Sequence, residues 1–199
     1  MSKKAVTHFK QVDTRMYILA LRVTLGRLVK NQNYFEALAV SIMCQQLSTK
    51  AADTIIKRVW TLADKKGGRT PKIFLKLKPN ALRACGLSFS KIQYIKNLAE
   101  HAQSGKLAGL ENLRDEQVVT QLIQVKGIGK WTAEMFLIFT LHRPDVFSTG
   151  DLGLRNAIKK HYKLKDPVTE QKLLKLARVW SPYRSYASRL LWHSLDNQA

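Results

Sequence analysis

Apolar residues return at three- and four-residue intervals through almost the whole chain, the spacing that lays one side of an α-helix against a core. Two-residue alternation is confined to the short stretch "DVFS" at 145–148, so the pattern predicts an all-α fold. Asp13 or Thr14 is placed to cap a helix running to about Val29, and after the polar "KNQN" a long helical stretch covers Tyr34 to Trp60, open to interruption at "CQQLS" (44–48). "DKKGGRTP" is a break, with Thr70 and Pro71 as N-cap and first residue of the next helix. Gly86 can close a helix begun near Pro79, Ser90 can open one from Lys91 to Gln103, and "SGKLAG" ends it. Asp115 is placed to cap a helix to about Gln124, followed by one from Trp131 to Leu141 and a loop through Pro144. Three more are expected over Leu152 to Tyr162, Thr169 to Trp180 and Tyr183 to Leu195. The connections are short, which favours two interleaved helical lobes sharing a cleft within a single compact core over residues 1–199, not domains on a tether.

Charge narrows the range of partners. Lysine and arginine number 34 against 14 acidic residues, a formal charge of +20 and a pI near 10.2. Such an excess favours a polyanion, because neutralising phosphates releases their counterions. A membrane surface is the alternative, but the basic residues are spread along the chain and form no polybasic tail, and no apolar run approaches the roughly 18 residues of a membrane span. The first residues also lack the apolar core of a signal peptide, so an intracellular protein is expected. Cys44 and Cys85 sit in apolar helical contexts and read as core thiols. Two cysteines and five histidines without HxxxH spacing give no metal site, and no cofactor is implied.

Between two apolar helical segments stands "VKGIGK" (125–130). Two glycines in a helical context cost about 1 kcal/mol each relative to alanine, so a local need for bare backbone must offset them. The glycines let the chain turn sharply and bring N–H groups at the next helix's N-terminus against a ligand, for which a phosphate is the natural candidate; an ordinary interhelical turn is the other reading. The flanking Lys126 and Lys130 favour the phosphate.

Taken with its neighbours, "VKGIGKWTAE" (125–134) resembles the helix-hairpin-helix of the DNA glycosylase superfamily, and within it the alkylpurine branch, the DNA-3-methyladenine glycosylase II family. "DVFSTGDLGLRNA" places Asp151 where that superfamily carries its catalytic aspartate, "WSPYRSYASRLLWHSL" (180–195) resembles its closing segment, and "FEALAVSIMCQQLSTKAA" (35–52) resembles the helix and loop that reach the lesion. The resemblance runs from about Tyr34 onward and lacks the N-terminal β-rich domain of larger bacterial members. It implies the HhH-GPD fold, with the helix-hairpin-helix at about 116–140. Lys126, Gly127, Ile128, Gly129, Lys130 and Thr132 would meet double-stranded DNA, Trp131, Met135 and Trp192 would wall the base pocket, and Gln46 or Leu47 would be the wedge filling the gap left by the flipped nucleotide. Met135 departs from the tyrosine that can stand there.

Asp151 itself reads first as a helix N-cap, a role compatible with catalysis, since a helix N-terminus favours a carboxylate and a developing oxocarbenium at C1′ needs one. The implied protein is a monomeric, monofunctional glycosylase of base excision repair acting on alkylated purines, in the cytoplasm or nucleoid of a prokaryote or the nucleus of a eukaryote. Two rivals stand beside it. One is a noncatalytic helix-hairpin-helix nucleic-acid-binding protein. The other is a bifunctional glycosylase/lyase, whose branch carries its nucleophilic lysine at the position occupied here by Trp131 and often a C-terminal cysteine cluster, absent here.

Overall fold

The computed structural model describes residues 2–29 and 31–196. Among these the regular structure is helical: α1 Lys3–Val12, α2 Thr14–Arg22, α3 Tyr34–Cys44, α4 Thr49–Asp64, α5 Pro71–Lys76, α6 Pro79–Ala84, α7 Phe89–Gln103, α8 Asp115–Leu122, α9 Lys130–Phe139, α10 Leu152–Tyr162, α11 Glu170–Arg178 and α12 Arg184–Asp196. None is long and apolar enough to cross a membrane. The chain divides into two compact units: residues 30–141 form one, and residues 1–29 with 142–199 form the other.

The contiguous unit holds α3 to α9. Thr70 accepts from Ile73 N ahead of Pro71, as expected; Asn33 accepts from Glu36 N, and α7 is opened by Ser88, which accepts from Lys91 N, not by Ser90, which lies within the helix. α7 packs on α3 and α5, and α3 also meets α4 and α9, burying Leu38, Ile42, Phe74, Ile95 and Phe136. Phe74 meets both Phe35 and Trp60 edge-on. Arg69, from the basic run after α4, is bonded to Glu36 and Asp64 at 3.0 and 3.1 Å and lies over the Trp60 ring.

The second unit joins α1 and α2 to α10, α11 and α12 around Phe9, Met16, Leu154, Trp180 and Leu190. Asp13 ties the two stretches together. Its Oδ1 accepts from Arg15 N and Met16 N, capping α2, while Oδ2 accepts from Tyr162 OH at 2.6 Å and Trp180 Nε1 at 2.9 Å. Burial, and then the Asp13 carboxylate beside it, push the Tyr162 phenol well above its ordinary pKa.

Three expectations change. The helix expected to reach Val29 ends at Arg22, because Leu25 turns into the core and the freed Gly26 carbonyl accepts instead from Arg189 on α12. α1 precedes the first helix expected, the one opening at Asp13 or Thr14; it is an amphipathic helix that buries Ala5 and Phe9. Cys44 is not a core thiol: it is exposed where α3 ends, whereas Cys85 is buried.

Candidate active site

Within the contiguous unit, α8 and α9 flank the hairpin at residues 123–129. Gly127 adopts φ +103°, a left-handed backbone, and a Cβ there would lie 2.2 Å from Cγ of Tyr94. This glycine is therefore required by the turn and by the aromatic ring packed on it. Gly129 differs: its φ is −92°, and an added Cβ would meet nothing within 4 Å. It is the N-cap of α9, whose first-turn amides have no acceptor inside the helix. Lys126 and Lys130 are exposed beside it, and Lys130 lies 3.8 Å from Glu134 one turn on. Ile128 and Thr132 bury their side chains, at 4% and 3% exposure, so a ligand at the hairpin would meet them at the backbone.

Beside the hairpin the same unit opens a cavity of about 960 Å³, in the size range of small-molecule sites. Trp131 and Met135, one turn apart on α9, share its lining with Gln46 and Leu47 of the loop after α3 and with Tyr94 and Lys91 of α7. Trp131 is half-exposed, an unusual state for an indole on a core-packing helix. Gln46 has φ +56°. A left-handed non-glycine residue costs about 1–3 kcal/mol and persists where its surroundings over-determine it. Here Leu47 N donates to Cys44 O at 3.3 Å and the Gln45 amide donates to Gly127 O at 3.0 Å, tying the loop to the hairpin.

In the second unit Asp151 caps α10, as its position before "LGL" indicates. Its Oδ1 accepts from Leu154 N at 2.7 Å and from the indole Nε1 of Trp192 at 2.9 Å, and the residue is 7% exposed. Trp192, read from the sequence as a pocket wall, thus holds the carboxylate through its one polar atom. Gly153 makes this contact fit: a Cβ there would stand 3.2 Å from both Asp151 Oδ1 and Trp192 Cδ1.

The approach to Asp151 is fixed by α12. Asp145 receives Arg184 Nε at 2.8 Å and Nη2 at 2.9 Å, with Ser181 Oγ at 2.7 Å, while Val146 N donates to Ser185 Oγ at 2.9 Å. Burial alone would raise the Asp145 pKa, but the Arg184 and Ser181 bonds outweigh it and hold the carboxyl below its ordinary range. Arg155 donates to the Val168 carbonyl at 2.7 Å. The Asp145 clamp, Lys91, Tyr94 and Gly153 went unassigned in the sequence. The first joins residues 39 apart, and no local pattern marks such a pair before the fold brings them together.

Residues 39–182 match the family model described as HhH-GPD superfamily base excision DNA repair protein. The chain belongs to the HhH-GPD superfamily. This HhH-GPD protein is 33% identical over 195 residues to DNA-3-methyladenine glycosylase 1 of Schizosaccharomyces pombe, covering 95% of this chain and 86% of the relative. It is 35% identical over 179 residues to the DNA-3-methyladenine glycosylase of Saccharomyces cerevisiae, covering 83% of this chain but 59% of that one. The structure of the Schizosaccharomyces pombe 3-methyladenine DNA glycosylase in complex with abasic DNA is similar to it with a TM-score of 0.87 at 31% identity, over 98% of each chain. The all-α HhH-GPD fold expected from the sequence is the fold of the chain.

Proposed function

We propose that this protein is a monofunctional DNA glycosylase of base excision repair, acting as a monomer to extrude an alkylated purine such as 3-methyladenine or 7-methylguanine from duplex DNA and hydrolyse its N-glycosidic bond. The observation that carries the reading is the Asp151 carboxylate, buried at the start of α10 and oriented by the Trp192 indole N–H. Capping α10 accounts for the Leu154 bond; the catalytic role is supported by the second bond from Trp192 together with the family match over residues 39–182.

Extrusion is needed because the C1′ bond cannot be reached usefully inside the stack. An N3- or N7-alkylated purine is already cationic. When the C1′–N bond breaks, its electron pair leaves with the base, which departs neutral and needs no general acid. The deficit falls on the sugar as an oxocarbenium, offset by the charge of Asp151. Water adds to C1′ and loses a proton, to Asp151 or to solvent, leaving an abasic site. Trp131 and Met135 serve as the base pocket, with an electron-rich indole suited to a cationic ring. Trp192 acts through Asp151, and Gln46 or Leu47 fills the vacated stack. The N-terminus of α9 at Gly129, with Lys126 and Lys130, holds backbone phosphate.

Trp192→Phe keeps the ring and removes the N–H. Losing one hydrogen bond to a charged group, about 1.5–3 kcal/mol, should slow base release roughly 10- to 100-fold with lesion-duplex binding unchanged. A variant that turns over at the wild-type rate would show that the indole does not position Asp151.

The reading as a whole is tested by base release from single-lesion duplexes carrying 3-methyladenine, 7-methylguanine, 1-methyladenine, ethenoadenine or hypoxanthine. Release of an alkylated purine, leaving a strand cut only by hot alkali, is expected; no release from any duplex would favour the noncatalytic reading. Borohydride present during turnover should trap no covalent adduct. A lyase needs a deprotonated amine at C1′, whereas position 131 is tryptophan and Lys130 is exposed and paired with Glu134. An adduct lost in Lys130→Ala would place the protein among the bifunctional enzymes.

A further inference from the structure

The loop that carries Gln46 and Leu47 has no regular structure of its own, yet its backbone is held from α7. Lys91 Nζ donates to Met43 O at 2.9 Å and to Gln45 O at 2.6 Å. Met43 lies within the last turn of α3, where carbonyls lack helical partners and the helix end is negative. Gln45 lies beyond the helix, as its C-cap residue, and its carbonyl belongs to the peptide unit that leads into Gln46. Both bonds cap the end of α3, and the second also fixes the peptide unit that leads into Gln46. Lys91 is partly buried on the first turn of α7, its backbone N–H fixed by Ser88, and burial draws its pKa below the ordinary lysine value, with the Cys44 thiol nearby opposing the shift. The Gln45 side chain holds the hairpin at Gly127 O at the same time.

Resting on the glycosylase reading above, we infer that Lys91 is a positioning residue for base extrusion: its two bonds lock the peptide before Gln46, so that the Gln46–Leu47 loop is held in its left-handed turn as a wedge formed before DNA arrives. An ammonium gripping both carbonyls removes the freedom the loop would otherwise lose on entering the duplex. The cost of unstacking a base is least where it is already unpaired, so a defect in the wedge should matter most when the lesion is well paired.

The test compares Lys91→Met, of similar length without donors, with Lys91→Arg, which keeps donors. Base release is measured from a fully paired lesion duplex and from the same lesion in single-stranded DNA, with thermal melting as the check on folding. Lys91→Met should lose about 30-fold on the paired duplex and no more than about threefold on the single strand, and Lys91→Arg should recover part of the paired activity. Equal losses on both substrates would assign Lys91 to general pocket integrity, and no loss on either would make it dispensable; each overturns the proposal. If Lys91→Met does not fold, Lys91→Leu, which also lacks donors, takes its place with the same expected ratio.

A second readout needs no hydrolysis: 2-aminopurine placed beside the lesion brightens when the stack opens. The wild type should brighten it and Lys91→Met should not. Brightening by Lys91→Met at the wild-type level would overturn the proposal. Lys91-dependent brightening without base release by the wild type would instead uphold the wedge and sink the glycosylase assignment.

Discussion

Asp151→Asn should reduce base release at least 100-fold, on the order of the loss seen when a charge-stabilising group is removed from a transition state. Asparagine keeps an oxygen where Asp151 Oδ1 accepts from Leu154 N and Trp192 Nε1, so α10 stays capped and the unit stays folded. What disappears is the charge opposite the sugar cation. Affinity for lesion duplex should hold or rise, because a negative group near phosphates has been removed. Single-turnover release and binding, measured together, separate the two effects. Retention of more than about a tenth of the wild-type rate, a barrier change below ~1.4 kcal/mol, would remove Asp151 from the chemistry.

The largest effect on the fold is expected at Gly127, and its contrast with Gly129 separates architecture from ligand binding. Gly127→Val places carbon 2.2 Å from Tyr94 Cγ and 2.5 Å from its Cβ at φ +103°, so Tyr94 and the turn must both move. Overpacking combined with backbone strain predicts a loss of about 3 kcal/mol or more, a fall in Tm of roughly 6 °C or more for a protein of this size. The Tyr94 side of the cavity would be disturbed with it. Gly129→Ala adds carbon in open space at an ordinary φ, and stability should stay within about 0.5 kcal/mol. Its methyl nonetheless stands at the N-terminus of α9, where a phosphate would approach. Binding to lesion and undamaged duplex should weaken alike, because phosphate contacts carry no base information. A Gly127→Val protein melting with the wild type, or a Gly129→Ala protein binding DNA with unchanged affinity, would refute the respective half.

The helices were legible where a local signal sufficed. Thr70-Pro71 marks the start of α5, and Asp151 marks the start of α10. The break at "CQQLS" was also visible, since two amides and a serine interrupt an apolar run. Boundaries set by tertiary contacts were not legible. α2 stops at Arg22 because Leu25 is drawn inward and Arg189 takes the Gly26 carbonyl, a partner more than a hundred residues away. The same holds at the site. Asp151 is identifiable from what precedes and follows it, but the Trp192 bond and the room left by Gly153 exist only once α10 and α12 are packed. Ile128 and Thr132 sit in a motif whose neighbours face solvent, and only burial separates the side chains that face inward.

The two stretches joined at Asp13 set an order of assembly on the ribosome. The unit spanning residues 30–141 is complete in sequence once Leu141 has emerged. The other unit must wait: the core that holds Phe9 and Met16 is not complete until α10 and α12 arrive to enclose it. Trp192 lies on α12, so its bond to the Asp151 carboxylate forms only after that helix has been made. With Asp151 in the proposed role, a chain that stops short of α12 lacks the bond that orients its carboxylate. Synthesis itself would then withhold base excision, whose product is a lesion in its own right, from unfinished molecules.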